Sequence, residues 1–287
     1  MWGDLQVRIS VLYGLKIGGN SYDLGMSVMP AAIQTGPGPV IATAIHDGGA
    51  VRDELLAVMA LGADERRREE DPFTGVWTEI VPTRIVGLRS RFEVDLNRPR
   101  DQAVYLTPEQ AWGLHVWKHP PATDVIARSL AEYDTFYERV KRVLDEKVRQ
   151  YGRFVVFDLH SYNHRRGGAG APAADAAGNP EINVGTGTLR VREPWAGVID
   201  RFIAELGSAK RPGGKRYDVR ENVKFRGGQF GRWIHEQYPG VGCCLSIEMK
   251  KFFMDEHTGV PDQAEINAVG QALAATLPGV LEELQRR

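Results

Sequence analysis

Residues 123–152, TDVIARSLAEYDTFYERVKRVLDEKVRQYG, run without a linker into RFVVFDLH, residues 153–160. Ile126, Leu130, Tyr133, Tyr137, Val140 and Leu144 fall near one face of a 3.6-residue period. Thr123 or Asp124 is placed to cap the start of this long amphipathic helix, and Gly152 to end it. A helix with one apolar stripe that feeds straight into an apolar strand has to lie against the sheet it feeds, so this junction restricts the fold to a helix-covered sheet. The rest of the chain repeats the alternation. PVIATAI (39–45) is an apolar run of strand length closed by HDGG, TRIVGLRSRFEVDLN (83–97) reads as extended segments with partial alternation, and GCCLSIEM (242–249) reads as a further buried strand. REPWAGVIDRFIAELG is a second helix with Pro194 in its first turn, and GQFGRWIHEQY a third. The C-terminal DQAEINAVGQALAATLPGVLEELQRR is helical and is kinked or split at Pro278. The expected architecture is an α/β fold with a mostly parallel or mixed central sheet covered by helices on both faces, in a single domain spanning residues 1–287.

Composition narrows the function classes. With 36 basic against 37 acidic residues there is no charge excess to hold a polyanion, and the arginines alternate with acids, so a nucleic-acid partner is not expected. No window approaches the run of about eighteen apolar residues that a membrane span needs. The N-terminal MWGDLQVRISVLYGLKIGG lacks a basic stretch followed by a long apolar core, so no signal peptide is expected. The two cysteines, Cys243 and Cys244, are adjacent and cannot staple distant segments, which fits a reducing compartment and makes the cytoplasm the expected location. One low-complexity stretch, RRGGAGAPAADAAGNPE (165–181), reads as a loop.

In sheets of this kind ligand groups gather beyond the carboxyl ends of the strands. His46 comes just after the 39–45 run, His160 ends the 153–160 run, Asn97 and Arg98 end FEVDLNR, and Glu248 lies late in CCLSIEM. A catalytic zinc takes three ligands from His, Asp or Glu and leaves a position for water. His46 and His160 are the natural imidazole donors, and REEDPFTG (68–75) offers Glu69, Glu70 or Asp71 as the acid. His164 is a rival imidazole, but it heads the Gly-rich loop and reads instead as a substrate-contacting or solvated residue.

HDGG (46–49), EDPFTG (70–75), SRFEVDLNRPR (90–100), DLHSYNHRR (158–166) and SIEMKKFFMDE (246–256) together resemble the N-formylglutamate amidohydrolase family, relatives of the zinc carboxypeptidases and aspartoacylases. The resemblance implies a carboxypeptidase-like α/β fold and hydrolysis of a small-molecule N-acyl amino acid such as N-formyl-L-glutamate, with one zinc ion. It also implies Asp71 as the third ligand, with Glu70 the alternative. Carboxypeptidases take His and Glu from one HxxE turn, whereas here Gly49 stands three residues after His46, so that turn supplies only the histidine.

Amide hydrolysis needs an activated water, a stabilised oxyanion and a proton for the leaving nitrogen. Glu248 is the expected general base, unless it pairs with Lys250 or Lys251. Arg91 or Arg89 is the cation for the oxyanion. Asn97 and Arg98 suit the substrate α-carboxylate, because a guanidinium forks onto two oxygens. Asp95 shares a strand face with Asn97 under period-two alternation and would buttress Arg98, while Asp158 shares a face with His160 and would orient an imidazole. His164 and Arg165 are expected in the pocket wall, with Arg166 beside them. Arg226 or Arg232, flanking Gly227 and Gly228, is expected on a side-chain carboxylate. A deacylase or peptidase with another N-acyl substrate, or a catalytically idle binder of anions, would carry the same residues.

Overall fold

The computed structural model describes residues 29–286, and the N-terminal segment read above for a leader lies outside them. Seven strands form one sheet: β1 (Ala31–Gln34), β2 (Val40–Ala44), β3 (Thr83–Gly87), β4 (Phe154–Tyr162), β5 (Ile182–Gly185), β6 (Val219–Glu221) and β7 (Gly242–Lys250). Their order is β1-β3-β2-β4-β7-β5-β6. The central β3-β2-β4-β7 pairs are parallel, and β1 and β5 join them antiparallel, so the sheet is mixed, as expected. The longer helices are α1 (Thr123–Tyr151), α2 (Ala196–Ser208), α3 (Gln229–Gln237), α4 (Gln263–Ala275) and α5 (Leu277–Gln285). Among the described residues no helix is long and apolar enough to cross a membrane.

Strand parity sorts the core. Val155, Phe157 and Leu159 of β4, with Cys243, Leu245 and Ile247 of β7, pack against Phe202 and Leu206 of α2, Val269 and Leu273 of α4 and Val280 of α5. The even-numbered Phe154, Val156 and Cys244 point the other way, onto Tyr133, Phe136, Tyr137, Val140 and Leu144 of α1 and Phe230 and Ile234 of α3. β4 is buried at all nine positions, which is why it reads as one unbroken apolar run. Toward its C-terminal end the even-numbered face turns polar, with Asp158 and His160 on β4 and Ser246 and Glu248 on β7.

Two local readings need correction and one narrows to a single alternative. The first residue of α1 is indeed Thr123, but its N-cap is Ala122 and no side chain caps it. Gly152 ends the helix as expected, with φ of 73°. Of the two readings at Pro278 the structure takes the split: one helix ends at Ala275 and the next begins at Leu277, with Pro278 in its first turn, where its missing N–H costs nothing. The 83–97 stretch is a strand only as far as Gly87; residues 91–93 form a turn, and from there to residue 96 the acids Glu93 and Asp95 are buried together with Phe92, Val94 and Leu96.

Candidate metal centre and active site

β2 ends at Ala44, and the chain turns there so that His46 stands beside the end of β4. Asp71 is brought to the same place by a tight turn: the Thr74 amide and hydroxyl both donate to the Asp71 carbonyl, at 3.3 and 2.7 Å. Pro72 takes the second position of that turn, and Phe73 the third with φ of 73° and ψ of −6°, the left-handed geometry of a type II turn. A non-glycine residue there carries strain of order ~1–3 kcal/mol, which the packing of the Phe73 ring against the apolar core helps to offset. The Asp71 amide donates to the His46 carbonyl at 3.0 Å and so ties the two segments together.

The result is a cluster of His46, Asp71 and His160, all buried, whose ligand atoms lie within 4.8 Å of one another. Asp71 Oδ2 is 3.0 Å from His160 Nδ1 and 3.4 Å from His46 Nδ1, while Asp71 Oδ1 accepts a hydrogen bond from Ser161 Oγ at 2.9 Å. The far nitrogens of both rings are held by acids: His46 Nε2 lies 2.7 Å from Asp95 Oδ1, and His160 Nε2 3.0 Å from Asp158 Oδ2. Asp158 is in turn fixed by the Thr43 hydroxyl at 2.7 Å. Carboxylates only accept, so each Nε2 carries a proton; His46 Nδ1 is left with its lone pair toward Asp71, whereas His160 Nδ1 shares a proton with Asp71 that a cation would displace, as in a carboxylate–histidine–metal arrangement. His46 Nδ1 is buried without a hydrogen-bond partner, an open valence that a cation would satisfy. His160 faces a carboxylate with both nitrogens. Burial would lower its pKa, but Asp158 and Asp71 raise it well above the ordinary value, so this ring holds a positive charge that a metal between Nδ1 and Asp71 would replace. Burial would likewise raise Asp71, yet its bond to His160 and the neighbouring His46 ring hold it well below the usual carboxylate range. These three side chains can coordinate a divalent metal.

Glu70 is not in the cluster. Its carboxylate accepts from the Ser90 hydroxyl, lies against Gly49 and is pushed up to about 7 by burial. Glu69 pairs with Arg166 at 3.2 Å.

Glu248 is the register partner of His160 across the β4–β7 pair and faces the same side. Neither Lys250 nor Lys251 pairs with it: among the described residues its carboxylate has no hydrogen-bond or ion-pair partner, and Lys251 Nζ instead donates to the carbonyls of Arg68 and Glu70 at 2.5 and 2.8 Å. Burial pushes Glu248 up to about 7, where a proton acceptor is well matched to neutral pH. The two arginines separate. Arg89 forks onto Glu132 at 2.8 and 2.9 Å, away from the cluster. Arg91 donates to Asp95 at 2.9 Å and to the Glu69 carbonyl at 3.3 Å, with its guanidinium 4.7 Å from the Trp112 ring centroid.

Asp95 does not buttress Arg98. It lies in the buried turn region rather than on a strand, and collects His46 Nε2, Arg91, the Tyr105 hydroxyl and the Asn97 amide. Arg98 instead donates to the Gln110 carbonyl at 3.0 Å and stands over the Tyr105 ring. Asn97 Oδ1 accepts the Phe230 amide at 2.9 Å and so caps α3; a Cβ on Gly228 would collide with this side chain at 2.2 Å, which accounts for the glycine. His164 is half-buried, its Nδ1 lacks a partner, and burial lowers its pKa. The amides of His164 and Arg165 both donate to the buried Glu256, at 2.7 and 3.0 Å, and the Arg165 side chain is exposed. Arg226 is exposed and packs against Gly187, and Arg232 is exposed on α3.

The N-formylglutamate amidohydrolase family model matches residues 38–254 of the 287, a span that contains the whole cluster and Glu248. The chain belongs to the N-formylglutamate amidohydrolase family. Its fold is similar to that of the N-formylglutamate amidohydrolase from Ralstonia eutropha, with a TM-score of 0.71 at 17% identity, over 90% of this chain and 99% of that one. It is also similar to a gene product of Agrobacterium tumefaciens, with a TM-score of 0.60 at 16% identity, over 88% and 95% of the two chains. No match was found among curated proteins. Family and cluster together make this a metal-dependent amidohydrolase.

Three contributors to the amidohydrolase site were not singled out from the sequence. Ser161 sits in the DLHS block, one residue after His160, and steadies Asp71; Tyr105 lies outside every quoted block. Lys251 looks like half of a surface KK pair, yet strand parity turns it inward onto the loop that carries Asp71. If Asp95 sets the tautomer of His46, Asp95→Asn should weaken metal binding by about 10–100-fold, the usual cost of losing such a partner. Titration with a competing chelator measures this; an unchanged affinity would leave Asp95 a merely structural acid.

Proposed function

We propose that the enzyme is a zinc-dependent deformylase of N-formyl-L-glutamate, working as a single catalytic domain over residues 1–287 in the cytoplasm, with His46, Asp71 and His160 holding the ion. The observation that carries this reading is the pair of imidazoles turned by Asp95 and Asp158 so that both Nδ1 atoms face Asp71. Two imidazoles and a carboxylate suit zinc and leave a fourth position open. A zinc ion held by these residues would lower the pKa of water and polarise the substrate carbonyl.

The protein groups divide the remaining work. Glu248 takes a proton from the attacking water as oxygen bonds to the formyl carbon, and passes that proton to the amide nitrogen as the C–N bond breaks, giving formate and the free amine. Arg91 supplies fixed positive charge for the oxygen on which negative charge develops. Asn97 and Arg98 receive the α-carboxylate, with His164 and Arg165 in the pocket wall and Arg226 further out. Arg98 suits this role because no carboxylate of the described chain pairs with it; one Nη donates to the Gln110 carbonyl and the rest of the guanidinium is available to a ligand. An idle anion binder would have no use for a half-buried, unpaired carboxylate at the position of Glu248.

The test is a substrate panel. Zinc-loaded enzyme should hydrolyse N-formyl-L-glutamate and leave its α-methyl ester and α-amide nearly untouched, because esterification removes the charge that Arg98 is proposed to meet. Arg98→Lys should be poor as well, since a point charge does not reproduce the fork. Equal kcat/KM for acid and ester would remove Arg98 as the anchor. Faster turnover of N-acetyl or N-carbamoyl substrates would change the acyl group assigned.

A further inference from the structure

Strand geometry stacks the site in layers. On one face of β4 lie Asp158, His160 and Tyr162, and opposite them on β7 lie Ser246, Glu248 and Lys250. Residues two apart on a strand are about 6.5–7 Å apart, so Tyr162 and Lys250 form the next layer beyond His160 and Glu248. β5 extends the middle layer, because Asn183 is the antiparallel register partner of Glu248.

Asn183 is fully buried, and its side chain grips the segment that crosses above it. Its Oδ1 accepts the amides of Lys224 and Phe225 at 2.8 and 3.3 Å, and its Nδ2 donates to the Phe225 carbonyl at 2.8 Å. That grip sets the Phe225 ring against Tyr162, with centroids 5.3 Å apart, and stands Lys224 Nζ 5.2 Å over the Tyr162 ring and 5.6 Å from that of Phe225. Lys224 is exposed, but the Asn183 grip on its backbone and the two aromatic faces place its amine over the outer layer.

Neither lysine has an acid. Lys224 Nζ donates to the neutral Asn179 Oδ1 at 2.5 Å, and Lys250 Nζ has no hydrogen-bond or ion-pair partner among the described residues. Of the surrounding carboxylates, Glu69 pairs with Arg166, Asp218 with Arg220 and Glu181 with Arg211, which leaves Glu248, the proposed base one layer in, as the acid whose charge still reaches Lys224. Burial pushes both amines below the ordinary lysine value, and for Lys224 the charges of Arg166 and Lys250 push the same way. Two such cations beside the reacting layer are complementary to a ligand anion.

We infer that Lys224 and Lys250 form a subsite for a second carboxylate of the substrate, so that this enzyme selects N-acyl derivatives of dicarboxylic amino acids over their neutral counterparts. The inference rests on the amidohydrolase reading above. It moves the side-chain carboxylate from Arg226, which packs against Gly187, to the β7–β5 flank of the site. Asn183 is the positioning residue, since it acts only through the 224–225 backbone.

The test compares N-formyl-L-glutamate with N-formyl-L-glutamine, which has nearly the same shape without the second charge. The zinc-loaded enzyme should prefer the glutamate derivative by about a hundredfold in kcat/KM, roughly tenfold for each lysine. In Lys224→Met/Lys250→Met, folded and metal-loaded, the ratio should fall to within a few-fold of one. A ratio that persists in the double variant, or no preference in the parent enzyme, overturns the subsite and leaves the amidohydrolase reading standing. If the parent enzyme turns over neither compound, that reading is what fails, and calorimetric binding of N-acetyl-L-glutamate and N-acetyl-L-glutamine to both proteins decides the subsite. Weakening of the glutamate ligand alone in the double variant supports it; equal binding by both proteins overturns it.

Discussion

Glu248→Gln should bind zinc and substrate as the parent enzyme does, with kcat lower by about a hundredfold to ten-thousandfold, the span for losing a positioned acid–base group. The substitution keeps the side chain's shape and removes only its ability to accept and carry a proton. It should fold, because Glu248 makes no hydrogen bond or ion pair within the described chain that glutamine would break. Its lack of a partner also sets the direction: a carboxylate committed to Lys250 would have been a structural group, and its amide would have cost stability instead of turnover. Metal content by elemental analysis, KM and kcat measured on the same preparation separate the outcomes. Joint loss of metal and activity would make Glu248 a ligand, and unchanged kcat would take it out of the chemistry.

The parts of this site that were legible in the sequence are those where strand parity and burial act together. PVIATAI and RFVVFDLH are apolar because β2 and β4 lie inside the sheet with helices on either side, and a polar residue at the end of such a run is conspicuous for that reason. His46, His160 and Glu248 were picked out as candidates this way, and the structure brings the two histidines together. Asp71 was not: by pattern alone it was one of three acids beside three arginines, and only the resemblance separated it from Glu69 and Glu70. The structural difference lies in backbone geometry, since Pro72 and the left-handed Phe73 turn Asp71 inward while Glu69 faces Arg166.

The misread stretch was SRFEVDLN. Its alternation suggested a strand with Asp95 and Asn97 on one face, yet Phe92, Glu93, Val94, Asp95 and Leu96 are all buried. Where the acids are buried as deeply as the apolar residues, alternation no longer reports a wet and a dry side. Glu93 is neutralised by Arg52 and Arg89, and Asp95 by Arg91, with a hydrogen bond from His46. Those partners lie tens of residues away or on the far side of a turn, out of reach of any local pattern. The KK pair at 250–251 hid its division of labour for the opposite reason. It looked like exposed charge, but parity sends one amine toward the proposed carboxylate subsite and the other into the loop that carries Asp71.

His160→Ala should cost the protein nearly all of its bound metal, from about one ion per chain to a small fraction after dialysis, because three protein ligands leave no reserve. The effect should exceed that of Asp95→Asn, which only disturbs the orientation of a ligand that remains. Removing the ring also leaves Asp71 and Asp158 facing each other with neither imidazole charge nor metal between them. Burial of two unpaired carboxylates is costly, so the variant should lose thermal stability along with the ion. For that reason His160→Gln is made in parallel: it fills the space and can donate to Asp158, yet lacks the Nδ1 lone pair. His164→Ala is the comparison that decides identity, since His164 sits on the Glu256 side of the loop and outside the cluster. It should retain its full complement of zinc. Undiminished metal in both His160 variants, or loss of metal in His164→Ala alone, would move the second imidazole from His160 to His164 and with it the proposed centre.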